Sequence, residues 1–201
     1  MGFAEVGTDG VIRCDWGNGS SEYAAYHDNE WGRPVGDDRR LFEKLSLEGF
    51  QSGLAWSTIL RKRDSFREVF EGFDIERVAE FDEEDVERLL GDASIVRHEG
   101  KIRSTINNAQ RSLEVANEMG SLGSLIWSFE PTPAPPTHAA TTPESVALAK
   151  ELKRRGFTFV GPTTAYAFMQ SMGIVNDHAE ACAARDTAEA DRASFVRPKP
   201  S

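Results

Sequence analysis

Along most of the chain, apolar residues recur at steps of three and four rather than two, the period of helices and not of half-buried strands. The clearest run lies between Gly100 and Met119, where Ile102, Ile106, Ala109, Leu113 and Ala116 fall on one face. That spacing predicts a long helix with the stripe buried. Asp82 and Asp85 precede Val86, Leu89 and Leu90, with Gly91 beyond them, the pattern of a short capped helix ended by glycine. Thr141 and Glu144 stand at capping-box spacing around Pro143, so another helix is expected from Pro143 to Arg155. Five of the nine prolines lie between Ser128 and Pro143, which predicts an extended connector there. No alternating strand is expected anywhere. The pattern gives an all-α bundle of eight or nine helices over residues 1–185, followed by a flexible polar tail over 186–201.

Composition narrows the setting. A chain of 201 residues is long enough to bury a real core without staples, and it has two cysteines. With no apolar leader at Met1 to Val11 and no long apolar run, the expectation is a cytoplasmic protein without a membrane segment. The net charge of -10 opposes nucleic acid as a whole-molecule partner, although base clusters at RKR (61 to 63), RHEGKIR (97 to 103) and KELKRR (150 to 155).

Three constellations carry chemistry. In NDHAEAC, a helix capped by Asn176 would put His178 and Cys182 on one face. Cys14 and His27 complete a Cys2His2 set split between the ends of the chain. Mixed thiolate and imidazole ligands suit zinc, and four protein ligands make the site structural. Spacing alone leaves open a pair of small buried thiols with two hydrogen-bonded histidines.

The second is an apolar stripe, Leu41 and Leu45, continued by Glu48. Either the helix breaks at Gly49 and Glu48 meets solvent, or a carboxylate faces the interior and needs neutralisation, a partner or a ligand. Tyr23, Tyr26, Trp31 and Trp56 fit no single helix face. They are either core or, with an inward carboxylate, the walls of a pocket for a flat ring that is polar or cationic at its edge. The third is RRGFTFVGPTTAYAFMQ, in which a helix ends, turns through Gly161 and Pro162, and restarts at Thr163 or Thr164 with free N–H groups suited to a phosphate.

CDWG, YAAYHDNEWG, LFEKLSLEGFQSGLAWSTILRKR, DVERLLGDASIVRHEGKI and RGFTFVGPTTAYAFMQSMGIVNDH together resemble the DNA-3-methyladenine glycosylase I family over roughly residues 13 to 182. The resemblance implies a two-lobed helix-hairpin-helix glycosylase fold, with the damaged base bound between the lobes. It also implies a structural zinc on Cys14, His27, His178 and Cys182, clipping the amino-terminal segment to the end of the chain. By position, Glu48 becomes the pocket carboxylate, Tyr26 and Trp56 the walls around the base, and Trp16, Tyr23 and Trp31 further lining. Gly161 and Thr163 in the hairpin, with Arg61, Lys62 and Lys101, become phosphate contacts, and Leu54 a wedge for the vacated stack.

Strand-cutting members of the superfamily carry a hairpin lysine where this chain has Thr163, so the expectation is a monofunctional enzyme that leaves an abasic site. Asn176 stands where many relatives place a catalytic aspartate, with Asp177 beside it. The expected partner is double-stranded DNA containing alkylated bases, bound by a monomer. Two rivals are a noncatalytic zinc-clipped DNA-binding module and a zinc hydrolase using Cys14, His27 and His178.

Overall fold

Helix α6, Glu99–Met119, begins where the His98 side chain accepts from the Lys101 N–H and ends where Gly120 turns left-handed at φ 86. It buries Ile102, Ile106, Ala109 and Val115, but Leu113 is exposed and Ala116 half-buried. The predicted stripe drifts by one residue after Ala109. A second, polar strip on the same helix, Ser104 and Asn108, faces inward because both hydrogen-bond the backbone of Thr158.

The computed structural model describes residues 4–137 and 139–200. The first three residues of the Met1 to Val11 stretch and His138 in the connector lie outside them. The described helices are α1 Ser21–Asn29, α2 Asp38–Gln51, α3 Trp56–Val69, α4 Ile75–Ala79, α5 Glu83–Gly91, α6, α7 Leu122–Trp127, α8 Pro143–Arg154, α9 Pro162–Ser171 and α10 Arg185–Ser194. Short 3-10 turns cover Asp15–Asn18 and Glu71–Phe73. No described helix is long and apolar enough to cross a membrane.

Asp82 and Asp85 form the capping box of α5. The box on α8 is one residue later than expected, Thr142 with Ser145, because Pro143 takes the first helical position. Helix α2 is buried on almost every face, so the rest of the bundle is built around it. One apolar cluster fills the bundle between α2, α3, α6, α7, α8 and α9, and a smaller one gathers Cys14, Tyr26, Trp31, Ala179 and Cys182.

Two expectations are corrected. A small antiparallel hairpin joins β1, Ala4–Val6, to β2, Ile12–Cys14. Three-residue strands are too short to show alternation. The segment read as a flexible tail forms α10, whose Ala188 and Arg192 are buried, and Phe195 packs on Trp127 with ring centroids 4.6 Å apart. Arg192 anchors it by donating to Glu130 at 2.9 Å and to the Gly173 carbonyl. Removing the guanidinium strands the Gly173 carbonyl and leaves Glu130 to Arg197 alone. Arg192→Ala is therefore expected to lower stability by about 2 kcal/mol, whereas an undocked tail would give no change in a denaturant melt.

Candidate active site

The amino-terminal hairpin delivers Cys14, α1 delivers His27, and the irregular stretch after α9 delivers His178 and Cys182. That stretch is not helical, so the helix premise for His178 and Cys182 fails. The grouping holds nonetheless. The four ligand atoms lie within 4.8 Å of one another, and all four residues are buried. Cys182 Sγ is 3.5 Å from both His27 Nε2 and His178 Nδ1, and Cys14 Sγ is 3.8 Å from His178 Nδ1. A tetrahedral ion about 2.3 Å from sulfur and about 2.0 Å from nitrogen sets S···N edges of about 3.5 Å.

The outward nitrogens orient both rings. His27 Nδ1 bonds the Asp28 carboxylate at 2.8 Å and His178 Nε2 the Trp31 carbonyl at 3.2 Å. Each imidazole so held turns its lone pair toward the thiols. Two glycines permit this packing. A Cβ on Gly17 would sit 2.9 Å from the His27 ring, and one on Gly32, at φ 78, would sit 2.9 Å from His178. The neighbouring Cys14 thiol, helped by the His178 and His27 rings, holds Cys182 low in pKa, and the Cys182 thiol with burial pushes Cys14 up. A dication held between the four side chains would stabilise both sulfurs as thiolates. Beside the cluster, the Ala183 N–H donates to the Ile12 carbonyl at 2.9 Å, tying the two ends by backbone as well.

Next to this cluster lies a cavity of about 400 Å³. Trp16, Tyr23, Tyr26, Trp31 and Trp56 all line it, as does Glu48. The aromatic walls rest on the histidines of the cluster: Trp16 meets His27 edge-on at 5.1 Å and Trp31 meets His178 at 4.7 Å. Tyr26 and Trp56 stand 5.4 Å apart. Glu48 is 5% exposed, which rejects the solvent-facing alternative.

The carboxylate is not alone, however. Lys44, one turn earlier on α2, places Nζ 2.8 Å from Glu48 Oε1, 2.8 Å from the Tyr26 hydroxyl and 3.4 Å from the Trp56 ring centroid. The recess therefore holds an ion pair, not a lone anion. Burial pushes Lys44 below the usual lysine pKa, with Glu48 opposing the shift.

Other lining residues escaped the sequence. Asp177 accepts from the Tyr166 hydroxyl and, at 2.8 Å, from Gln170. Asn176 instead turns to α10, donating to the Arg185 carbonyl and Glu189. Thr137 and Ala139 make the connector one wall.

Of the phosphate contacts expected, Lys101 is corrected: its ammonium is buried and satisfies the Phe50 and Ser52 carbonyls at 2.8 and 2.6 Å. Lys62 binds the Ala93 and Ser94 carbonyls. Arg61 is exposed, as are Leu54 in the turn after α2 and Thr163 on the first turn of α9. Gly161 caps that helix, with open space where a Cβ would stand. Thr163 and Thr164 N–H belong to a helical first turn and have no intrahelical acceptor.

Residues 16–186 match the methyladenine glycosylase family. The chain belongs to that family. A methyladenine glycosylase of Escherichia coli K12, DNA-3-methyladenine glycosylase 1, is 47% identical, covering 85% of this chain and 95% of the relative. A crystal structure of 3-methyladenine DNA glycosylase I superposes with a TM-score of 0.81 at 48% identity, covering 85% of this chain and 98% of the other. Another solved member, described as a complex with 3-methyladenine, has a TM-score of 0.81 at 33% identity, covering 86% and 97% of the two chains. The methyladenine glycosylase match spans His27, His178 and Cys182 and the aromatic recess, and Cys14 stands two residues before it.

Proposed function

We propose that this chain is a monofunctional DNA glycosylase that flips 3-methyladenine out of alkylated double-stranded DNA and hydrolyses its glycosidic bond, leaving an abasic site. The observation that carries this reading is a buried carboxylate, Glu48, inside a recess walled by aromatic rings, in a chain of this family. A base within a duplex is out of reach. A lesion that pairs poorly is the cheapest to extrude, by about a few kcal/mol. Leu54 fills the vacated stack, and the first-turn N–H groups after Gly161, at Thr163, hold a phosphate, with exposed Arg61 nearby in role if not in sequence.

Methylation at N3 leaves the purine cationic. When the glycosidic bond breaks, its electron pair goes to the base, which departs neutral without a proton from the enzyme. Water supplies hydroxyl to the sugar carbon and releases a proton to solvent. The protein's share is recognition: the ring stacks on Trp56 beside Tyr26, Trp16, Tyr23 and Trp31 close the recess, and Glu48 accepts hydrogen bonds from the base edge. Unmethylated adenine presents the same edge without the charge and with a far stronger bond, so lesion lability adds to selectivity.

Cys14, His27, His178 and Cys182 would hold zinc. With all four positions taken by protein, the ion supplies structure and no reacting water. Through Trp31 and Trp16 it also fixes two walls of the recess. We assign the protein to the cytoplasm as a monomer. Chromatography of bases released from methylated duplex is expected to show 3-methyladenine, with the strand uncut because Thr163 offers no amine. Strand cleavage that is trapped by borohydride would overturn the monofunctional assignment.

A further inference from the structure

Lys44 engages the very groups assigned above to the base: the Glu48 carboxylate, the Tyr26 hydroxyl and the face of Trp56. An ammonium 3.4 Å from the indole centroid takes up space that a stacked ring needs. Its side chain is 7% exposed, and it lines the same cavity as Glu48 and Trp56. The recess is still not fully satisfied by this arrangement. Trp56 Nε1 is buried without a hydrogen-bond partner among the described residues, which leaves a donor for an incoming acceptor.

We propose that Lys44 is a resident cation that fills the recess of the free enzyme, yields its contacts when the base enters, and sets a preference for the base's neutral form over its cationic form. The inference rests on the base-excision reading above. In the free enzyme the ammonium keeps Glu48 from standing as an uncompensated buried charge. Once the base enters, the same ammonium repels the cationic purine. That repulsion is relieved as the glycosidic electron pair flows onto the ring and the base becomes neutral. Lys44 thus raises the bound ground state more than the transition state, weakening substrate binding while speeding the bond-breaking step. Burial, which pushes its pKa down, agrees with a side chain held where charge is disfavoured.

The test compares two free ligands by tryptophan fluorescence at mildly alkaline pH: 3-methyladenine, neutral there, and 3,9-dimethyladeninium, a permanent cation of similar shape. Lys44→Met is expected to bind both more tightly than wild type, and the cation by about tenfold more than the neutral base. Lys44→Arg keeps the wild-type ratio. If Lys44→Met does not fold, Lys44→Gln, which retains a donor for Glu48 and Tyr26 without charge, is read in the same ratio. In single-turnover excision the neutral variant should show a lower half-saturating concentration and a slower maximal rate. An affinity ratio unmoved by removing the charge, or weaker binding of both ligands, overturns the proposal. Wild type that excises 3-methyladenine with such an unmoved ratio sinks this inference alone, whereas wild type that releases no base sinks the functional reading itself.

Discussion

Removing the metal with a chelator, or replacing one ligand as Cys182→Ala, is expected to lower the melting temperature by about 10 °C or more and to abolish excision together with it. The four residues come from the hairpin, α1 and the stretch after α9, so an ion held by them joins positions 14 and 182 across most of the chain. A structural ion in a closed tetrahedral site contributes its binding free energy to folding, about 10 kcal/mol or more in peptides that are otherwise unfolded. Here the larger apolar cluster stands apart from the ligands, so helices α2 to α9 are expected to stay folded and only part of that free energy is lost. The loss reaches the recess because Trp31 and Trp16 rest on His178 and His27. The measurement pairs thermal melts with metal content and released base for the same samples. A catalytic metal would give a different result, with excision lost at an unchanged melting temperature. An unchanged melt and full activity in metal-free protein would remove zinc from the account altogether.

The ligand set was legible in the sequence for a chemical reason, not a geometric one. Cys14 and Cys182 are the only cysteines, and each has a histidine within reach along the chain. The helix that seemed to align His178 with Cys182 does not form, and a turn closed by Cys182 N–H on the Ala179 carbonyl brings them together instead. Glu48 was legible only as one of two alternatives, since it continues the stripe of Leu41 and Leu45 but is followed by Gly49. Its partner Lys44 lies on the same face, one turn before Glu48, but a lysine there reads as a side chain that reaches solvent, and its burial depends on Tyr26 and Trp56 from other elements. The same holds for Asp177, whose place in the cavity depends on Tyr166 and Gln170 of α9. Helix α10 was missed because its buried face is made of Ala188 and the stem of Arg192, which hydropathy scores as polar.

The ion pair in the recess changes what Glu48→Gln should do. Losing a charge-assisted acceptor for the base edge costs about 1.5 to 3 kcal/mol, roughly tenfold to a hundredfold in free-base affinity. The substitution also leaves Lys44 as an uncompensated ammonium facing a cationic lesion, which adds a second loss of similar size. Excision by Glu48→Gln at limiting DNA is therefore expected to slow by about a hundredfold or more, with the melting temperature lowered by several degrees, because the amide oxygen still accepts from Lys44 but leaves its charge uncompensated. The two losses are separable. In the double variant Lys44→Met with Glu48→Gln the repulsive term is gone, so about tenfold of the excision rate at limiting DNA should return through tighter binding, a coupling that independent sites would not show. Free-base affinity left intact in Glu48→Gln while excision falls to the uncatalysed rate would move Glu48 from the base edge to the sugar or the attacking water. Loss of free-base binding in step with excision keeps it on the base, where the hydrogen-bonded carboxylate of α2 faces the rings of Tyr26 and Trp56.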